Sequence, residues 1–191
     1  MATESTQDLP LGAAAPGFAL SDTVSGRTIR LSDYAASRAL LVSFICNHCP
    51  YVIHLRDGLV QFARHYQPLG VAVVAISAND PAAYPQDAPD AMKRQAQESG
   101  FTFPYLFDET QQTARAYHAV CTPEFYLFDS LLRLVYHGRF DASRPGNGIP
   151  VTGTDLRGAV DAVLAQRPVG TDQKPGIGCS IKWKAAAPGP A

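Results

Sequence analysis

A chain of 191 residues can bury one full hydrophobic core and is too short for two comfortable ones. A single domain is therefore expected over residues 1–167, with residues 168–191 as an irregular tail packed on or near it. With 46% hydrophobic residues, 17% charged residues and a formal charge of −1, the composition is that of a soluble globular protein and argues against nucleic acid or an anionic membrane as partner.

The N-terminal stretch MATESTQDLPLGAAAPG has no basic segment and no continuous apolar run, and no later run is long enough to span a bilayer, so the expected location is the cytoplasm. No fixed-period repeat is visible. Pro/Gly-rich stretches at the start, at 81–89, at 144–150 and after 167 read as loops and tails. ALLVSFIC (39–46) and VAVVAIS (71–77) are short, continuous and rich in β-branched residues, the pattern of strands buried on both faces. Between them Val52, Leu55, Leu59, Phe62 and Tyr66 recur at steps of three and four, which predicts an amphipathic helix with His54, Arg56, Asp57, Arg64 and His65 on its polar face.

AMKRQAQESG reads as a helix closed by Gly100, FTFPYLFDET as an extended piece and QQTARAYHAV as a short helix, with Asp108-Glu109 favouring a helix start. EFYLFD and LRLVYHGRF read as an antiparallel pair across a tight Asp129-Ser130 turn, and SRPGNGIPVTG as a loop. DLRGAVDAVLAQ reads as a last helix with Thr154 as N-cap. An α/β sheet, partly parallel with an antiparallel edge, follows from this order.

Four cysteines in a reducing compartment, Cys46, Cys49, Cys121 and Cys179, point to reactive or metal-binding thiols rather than a disulfide framework. Cys46 ends a buried strand and a helix follows at once. The pair therefore sits at a strand-to-helix turn, where free N–H groups and the helix dipole stabilise a thiolate, the nucleophilic form. Pro50 is tolerated in a first helical turn. An imidazolium at His48 lowers a neighbouring thiol pKa and makes the couple more oxidising, so His48→Ala is expected to make it more reducing.

APGFALSDTVSGRTIRLSDY, ALLVSFICNHCPY, VAVVAISANDP, FTFPYLFDE and CTPEFYLFD together resemble the thioredoxin-fold superfamily in its alkyl hydroperoxide reductase/thiol-specific antioxidant (peroxiredoxin-like) branch. The nearest likeness is to the peroxiredoxin-like proteins with a C-terminal GCSIKWK signature. The resemblance implies a thioredoxin-like three-layer α/β/α sandwich with a central mixed sheet, an N-terminal extension and a C-terminal tail. It makes Cys46 the exposed attacking thiol, Cys49 the resolving thiol, and Pro123 a cis-proline that with Thr122 positions an extended partner. It implies no cofactor, and a disulfide-bearing protein or small thiol as partner, with a thioredoxin or glutathione system as electron donor.

The chain departs from the family patterns. Against the peroxiredoxin pattern Pro-x-x-x-Thr-x-x-Cys, counting back from Cys49 gives Val42 and Cys46, and from Cys46 gives Ala39 and Ser43. Thioredoxin's tryptophan is Ile45 here and its buried aspartate falls at Leu40. Cys121 and Cys179 are candidate accessory thiols, each weighed against a small packed side chain. The expected activity is thiol-disulfide exchange at Cys46 and Cys49. The alternatives are a thiol peroxidase or antioxidant enzyme, a zinc or copper module started by the two thiols with His48 or His54, and a non-catalytic scaffold. His65, His118 and His137 carry no partner pattern. Lys182 and Lys184 read as solvated charges.

Overall fold

The computed structural model describes residues 2–185. In chain order the strands and helices are β1 (Ala2–Glu4), β2 (Ala19–Asp22), β3 (Thr28–Arg30), β4 (Ala39–Phe44), α1 (Pro50–Tyr66), β5 (Val71–Ser77), α2 (Pro89–Glu98), β6 (Tyr105–Phe107), α3 (Gln112–Ala116), β7 (Cys121–Thr122), β8 (Glu124–Asp129), β9 (Leu134–Gly138), α4 (Thr154–Leu164) and β10 (Ile177–Ser180).

The continuous apolar runs of β4 and β5 become the centre of a seven-stranded sheet ordered β3-β2-β6-β5-β4-β8-β9. β4–β5 and β5–β6 are parallel, and the remaining pairs are antiparallel. Because side chains alternate along a strand, Leu41, Val73, Phe125 and Leu127 join one core, against α1, α2 and α4. Leu40, Val42, Phe44, Val74, Tyr126 and Phe128 join another, with Ala114 of α3, Tyr117, Phe18 and Ile181. The mixed sheet with cover on both faces is the expected α/β architecture. Among the described residues no helix is long and apolar enough to cross a membrane.

The stripe predicted for α1 is buried as read: Val52, Leu55, Leu59, Phe62 and Tyr66 all face the core. Gly58 does not interrupt the helix. A Cβ there would lie 2.7 Å from Val151 Cγ1 and 3.2 Å from Phe140, so glycine lets the loop before α4 close onto α1.

Four expectations need correction. The segment after Arg167 is not irregular throughout, because β10 lies between β1 and β7 in a second, three-stranded sheet. The start of the chain likewise supplies β1 and the β2–β3 hairpin. These strands are two to four residues long, and all but the local β2–β3 pair join segments far apart in the chain, so no local period announces them. The β8–β9 connection is not a two-residue Asp129-Ser130 turn. It runs through residues 130–133, with Leu132 at φ +54° and its N–H donating to the Asp129 carbonyl. Thr154 is the first helical residue of α4 rather than its cap. Gly153, at φ +70°, takes the cap position, where the chain must turn through the left-handed region.

Candidate active site

β4 delivers the chain to Ile45, whose N–H still donates to Ile76 O at 3.0 Å. Four residues later the chain enters α1 with Cys49 as N-cap and Pro50 in the first turn. The helix N-terminus therefore lies at Cys49 rather than Cys46, so only one thiol of the pair expected at this turn sits at it. Neither thiol is exposed: Cys46 is 1% accessible and Cys49 fully buried, against the exposed attacking thiol that the resemblance implies. All four cysteines are free.

The Thr122–Pro123 bond is cis, and both sulfurs meet the residue before it. Cys46 Sγ lies 3.2 Å from Thr122 Oγ1, and the Cys49 S–H donates to the Thr122 carbonyl at 3.0 Å in the dithiol. Ionisation is favoured at Cys49 over Cys46. The Cys46 S–H pulls Cys49 down to about 5, against burial, with help from the Cys179 thiol and the N–H groups of Val52 and Cys179. Cys46 is pushed far up by the same hydrogen bond, by burial and by the charge of Asp87, with the Thr122 hydroxyl opposing. The first ionisation is eased and the second strongly resisted, as in any closely coupled pair.

Asp87 is the residue that sequence reasoning missed. It is fully buried at the end of a short 3-10 turn, Pro85–Asp87. One oxygen accepts the Asn47 N–H at 2.7 Å. The other contacts His48 Nδ1 at 2.6 Å and accepts from Asn79 Nδ2 at 2.8 Å. Tyr84 stacks on His48 with centroids 5.0 Å apart. In sequence this is a proline-rich loop in which Asp87 and Asp90 look equivalent; only the folded path buries one of them. Cys46 Sγ, a His48 ring nitrogen and an Asp87 oxygen all lie within 4.8 Å of one another. This is the group of metal-ligand type that the described residues assemble. It takes one thiol of the pair, not the two expected to start a zinc or copper site.

The setting sharpens the expectation for His48→Ala. The substitution removes a ring able to carry positive charge and leaves the Asp87 carboxylate, buried and beside Cys46, without that partner. The thiols then ionise less readily, and the midpoint in a dithiothreitol redox buffer is expected to fall. An unchanged or more oxidising midpoint would remove His48 from the tuning role.

Cys121 is fully buried, with its thiol 3.7 Å from Glu124 Oε2, and burial together with that carboxylate pushes its pKa far up. It is a packed thiol that keeps its proton. Glu124, also fully buried, ties the loop before the cis-proline: it accepts the N–H groups of Val120 and Cys121, at 2.9 and 3.1 Å, and the hydroxyls of Ser5 and Tyr126. His137 Nε2 meets the same carboxylate at 2.8 Å and is 2% exposed, so His137 is a core residue with a partner, contrary to its sequence reading. His54 is half-buried rather than solvated. It lines a cavity of about 260 Å³ beside Pro123, together with Tyr51, Phe140 and Arg144. Asp108 accepts the Ala114 N–H at 2.8 Å, consistent with its reading as part of a helix start.

Cys179 pairs in β10 with Thr122 of β7 and with Ala2 of β1, and its side chain packs on the core that holds Cys46 and Cys49. The strand lying along Thr122, where the resemblance expects an incoming substrate, is thus the chain's own. Lys182 is not a purely solvated charge, since its ammonium lies 5.7 Å from the Tyr84 ring centre and its N–H donates to Asn79 Oδ1.

Residues 11–137 match the model of the AhpC/TSA family. The chain is 28% identical over 127 residues to the thiol-disulfide oxidoreductase ResA of Geobacillus thermodenitrificans (strain NG80-2), covering 66% of this chain and 67% of that one. The crystal structure of an uncharacterized conserved protein from Geobacillus kaustophilus is 53% identical, with a TM-score of 0.96 and 98% of each chain covered. A putative thiol:disulfide interchange protein DsbE from Chlorobium tepidum, 24% identical, superposes with a TM-score of 0.64 over 82% of this chain and 99% of that one, a likeness of fold.

Proposed function

The chain belongs to the AhpC/TSA family, within the thioredoxin-fold superfamily, and from that premise we propose that it is a thiol-disulfide oxidoreductase whose redox centre is the Cys46–Cys49 dithiol. The observation that carries this reading is the convergence of both sulfurs on the hydroxyl and the carbonyl of Thr122, with Cys49 at the N-cap position of α1. The ionisation of the pair favours Cys49 as attacking thiolate and Cys46 as resolving thiol, the reverse of the roles the resemblance implies. Cys49 attacks a disulfide of a protein or small thiol and one partner sulfur leaves as thiolate. Cys46, giving up its proton, then attacks Cys49, closing the internal disulfide and releasing the second partner sulfur. A thioredoxin or glutathione system restores the dithiol.

The test is disulfide mapping by mass spectrometry across a graded glutathione redox series, with metal content measured on the same samples. Cys46 and Cys49 are expected to interconvert between dithiol and disulfide as a two-electron couple. If they stay unpaired across the series, the exchange mechanism fails.

A second reading rests on the same N-cap. In the peroxiredoxin pattern counted back from Cys49, Cys46 stands where the threonine would be, and its thiol is the group that most favours ionisation of Cys49. Cys49 attacking a peroxide oxygen would give a sulfenic acid and release water or alcohol; Cys46 would then form the disulfide and release a second water. Rapid peroxide consumption with a thiol reductant distinguishes this activity from disulfide exchange alone.

A further inference from the structure

The tail brings a third sulfur to the pair. Gly178 makes this approach possible: a Cβ there would lie 2.0 Å from the Thr122 carbonyl oxygen, so only glycine lets β10 run this close to the cis-proline loop. On either side of Cys179 the tail is fastened. Ser5 N–H donates to Gly176 O, and Ile181 N–H donates to Val120 O. Lys182 is held by Asn79, the residue that also bonds Asp87, and Arg115 lies over the Trp183 ring at 4.4 Å. Beside it, Cys179 pairs across the sheet with Thr122, whose carbonyl accepts the Cys49 S–H, and its side chain packs on the core that holds Cys46 and Cys49. Cys49 therefore has two thiol neighbours, of which Cys46 is buried and Cys179 is half-exposed.

We propose that Cys179 is a third redox residue, which takes the disulfide over from Cys46 by exchange at Cys49. The proposal rests on the exchange reading of Cys46 and Cys49 given above. In the oxidised protein the Cys179 thiolate attacks Cys49 Sγ, a Cys49–Cys179 bond forms, and the Cys46–Cys49 bond breaks. Cys46 leaves as thiolate and takes up the proton that Cys179 gave up. No net electron is gained or lost; the oxidised sulfur moves from a buried residue to one reachable from solvent. The chain's own tail strand, in the place expected for an extended substrate, acts as the first exchange partner.

The experiment titrates wild-type protein, Cys46→Ser and Gly178→Ala with oxidised and reduced dithiothreitol, and maps disulfides by mass spectrometry on monomeric protein. Cys46→Ser is expected to form an internal Cys49–Cys179 disulfide, and partly oxidised wild-type protein to contain the same bond as a minor species. Gly178→Ala keeps every sulfur but displaces β10, and is expected to lower the yield of that bond roughly tenfold or more. If Cys179 of Cys46→Ser stays reduced, with Cys49 carrying only dithiothreitol, the relay is overturned. It is equally overturned if Gly178→Ala leaves the yield unchanged. Titration of Cys46 and Cys49 in the wild type stands apart from these outcomes: if it occurs without the third bond, the relay fails and the exchange reading survives.

Discussion

Cys49→Ser is expected to abolish turnover of a disulfide substrate, by at least about a thousandfold, and to leave little trapped partner on Cys46. The reason lies in the ionisation of the pair. Cys49 is the sulfur held near the helix N-terminus and next to two thiols, which favour its ionisation over that of Cys46. Removing it relieves Cys46 of its strongest perturbation but leaves that thiol buried and facing Asp87, both of which keep it protonated. The complementary variant is Cys46→Ser/Cys179→Ser. It keeps the thiolate and removes both sulfurs able to release a bound partner, so mixed disulfides are expected to accumulate on Cys49. Non-reducing electrophoresis and mass mapping after mixing with a model protein disulfide read both results. Abundant adducts on Cys46 in Cys49→Ser, with none on Cys49 in the double variant, would restore the roles the resemblance implies.

The difference between those assignments marks how far the sequence could be read. The Cys-x-x-Cys, the buried strand before it and the later Thr-Pro are local signals, and they located the two thiols that meet at Thr122, the helix after them and the cis-proline. Which cysteine takes the N-cap position of that helix turns on where the first helical hydrogen bond forms. Pro50 fixes that point one residue after Cys49 rather than at Cys46. Asp87 and Glu124 were harder still. Each is a carboxylate in an ordinary loop or strand pattern, and each becomes distinctive only when its partners arrive from elsewhere: Asn47 and His48 for one, Ser5 and His137 for the other. The buried carboxylate missing at Leu40 is therefore no sign of an unassisted dithiol, since Asp87 approaches the pair from another loop. In the tail, β10 has too few residues to show a period, and its role depends on Gly178 being small rather than on any side chain.

Glu124 carries the second large expected effect. Glu124→Ala removes the acceptor for Val120 N–H, Cys121 N–H and two hydroxyls, and leaves His137 Nε2 buried without its carboxylate partner. Breaking a buried, hydrogen-bonded pair by deleting one member costs about 3–5 kcal/mol, because the groups left behind lose both water and partner. For a chain of this length that is a fall in melting temperature of roughly 6–20 °C. The pH dependence follows from the carboxyl itself. Burial alone would raise its pKa, but His137, Ser5 and the Val120 N–H outweigh burial and hold it below the ordinary glutamate value. A carboxyl with a folded pKa below its unfolded one contributes stability that is complete above the unfolded value and is lost as pH falls through the folded one. Wild type and Glu124→Ala should thus differ most near neutrality and converge in acid, in thermal melts followed from pH 7 to pH 3. A neutral-pH melting difference under about 2 °C would show that the network contributes little. The same carboxylate fixes the two N–H groups immediately before Thr122, so the variant, assayed well below its melting point, should also lose the precise placement of the Thr122 carbonyl against Cys49. Its dithiol would then titrate at a shifted midpoint, which links the buried pair at the base of the loop to the chemistry at its tip.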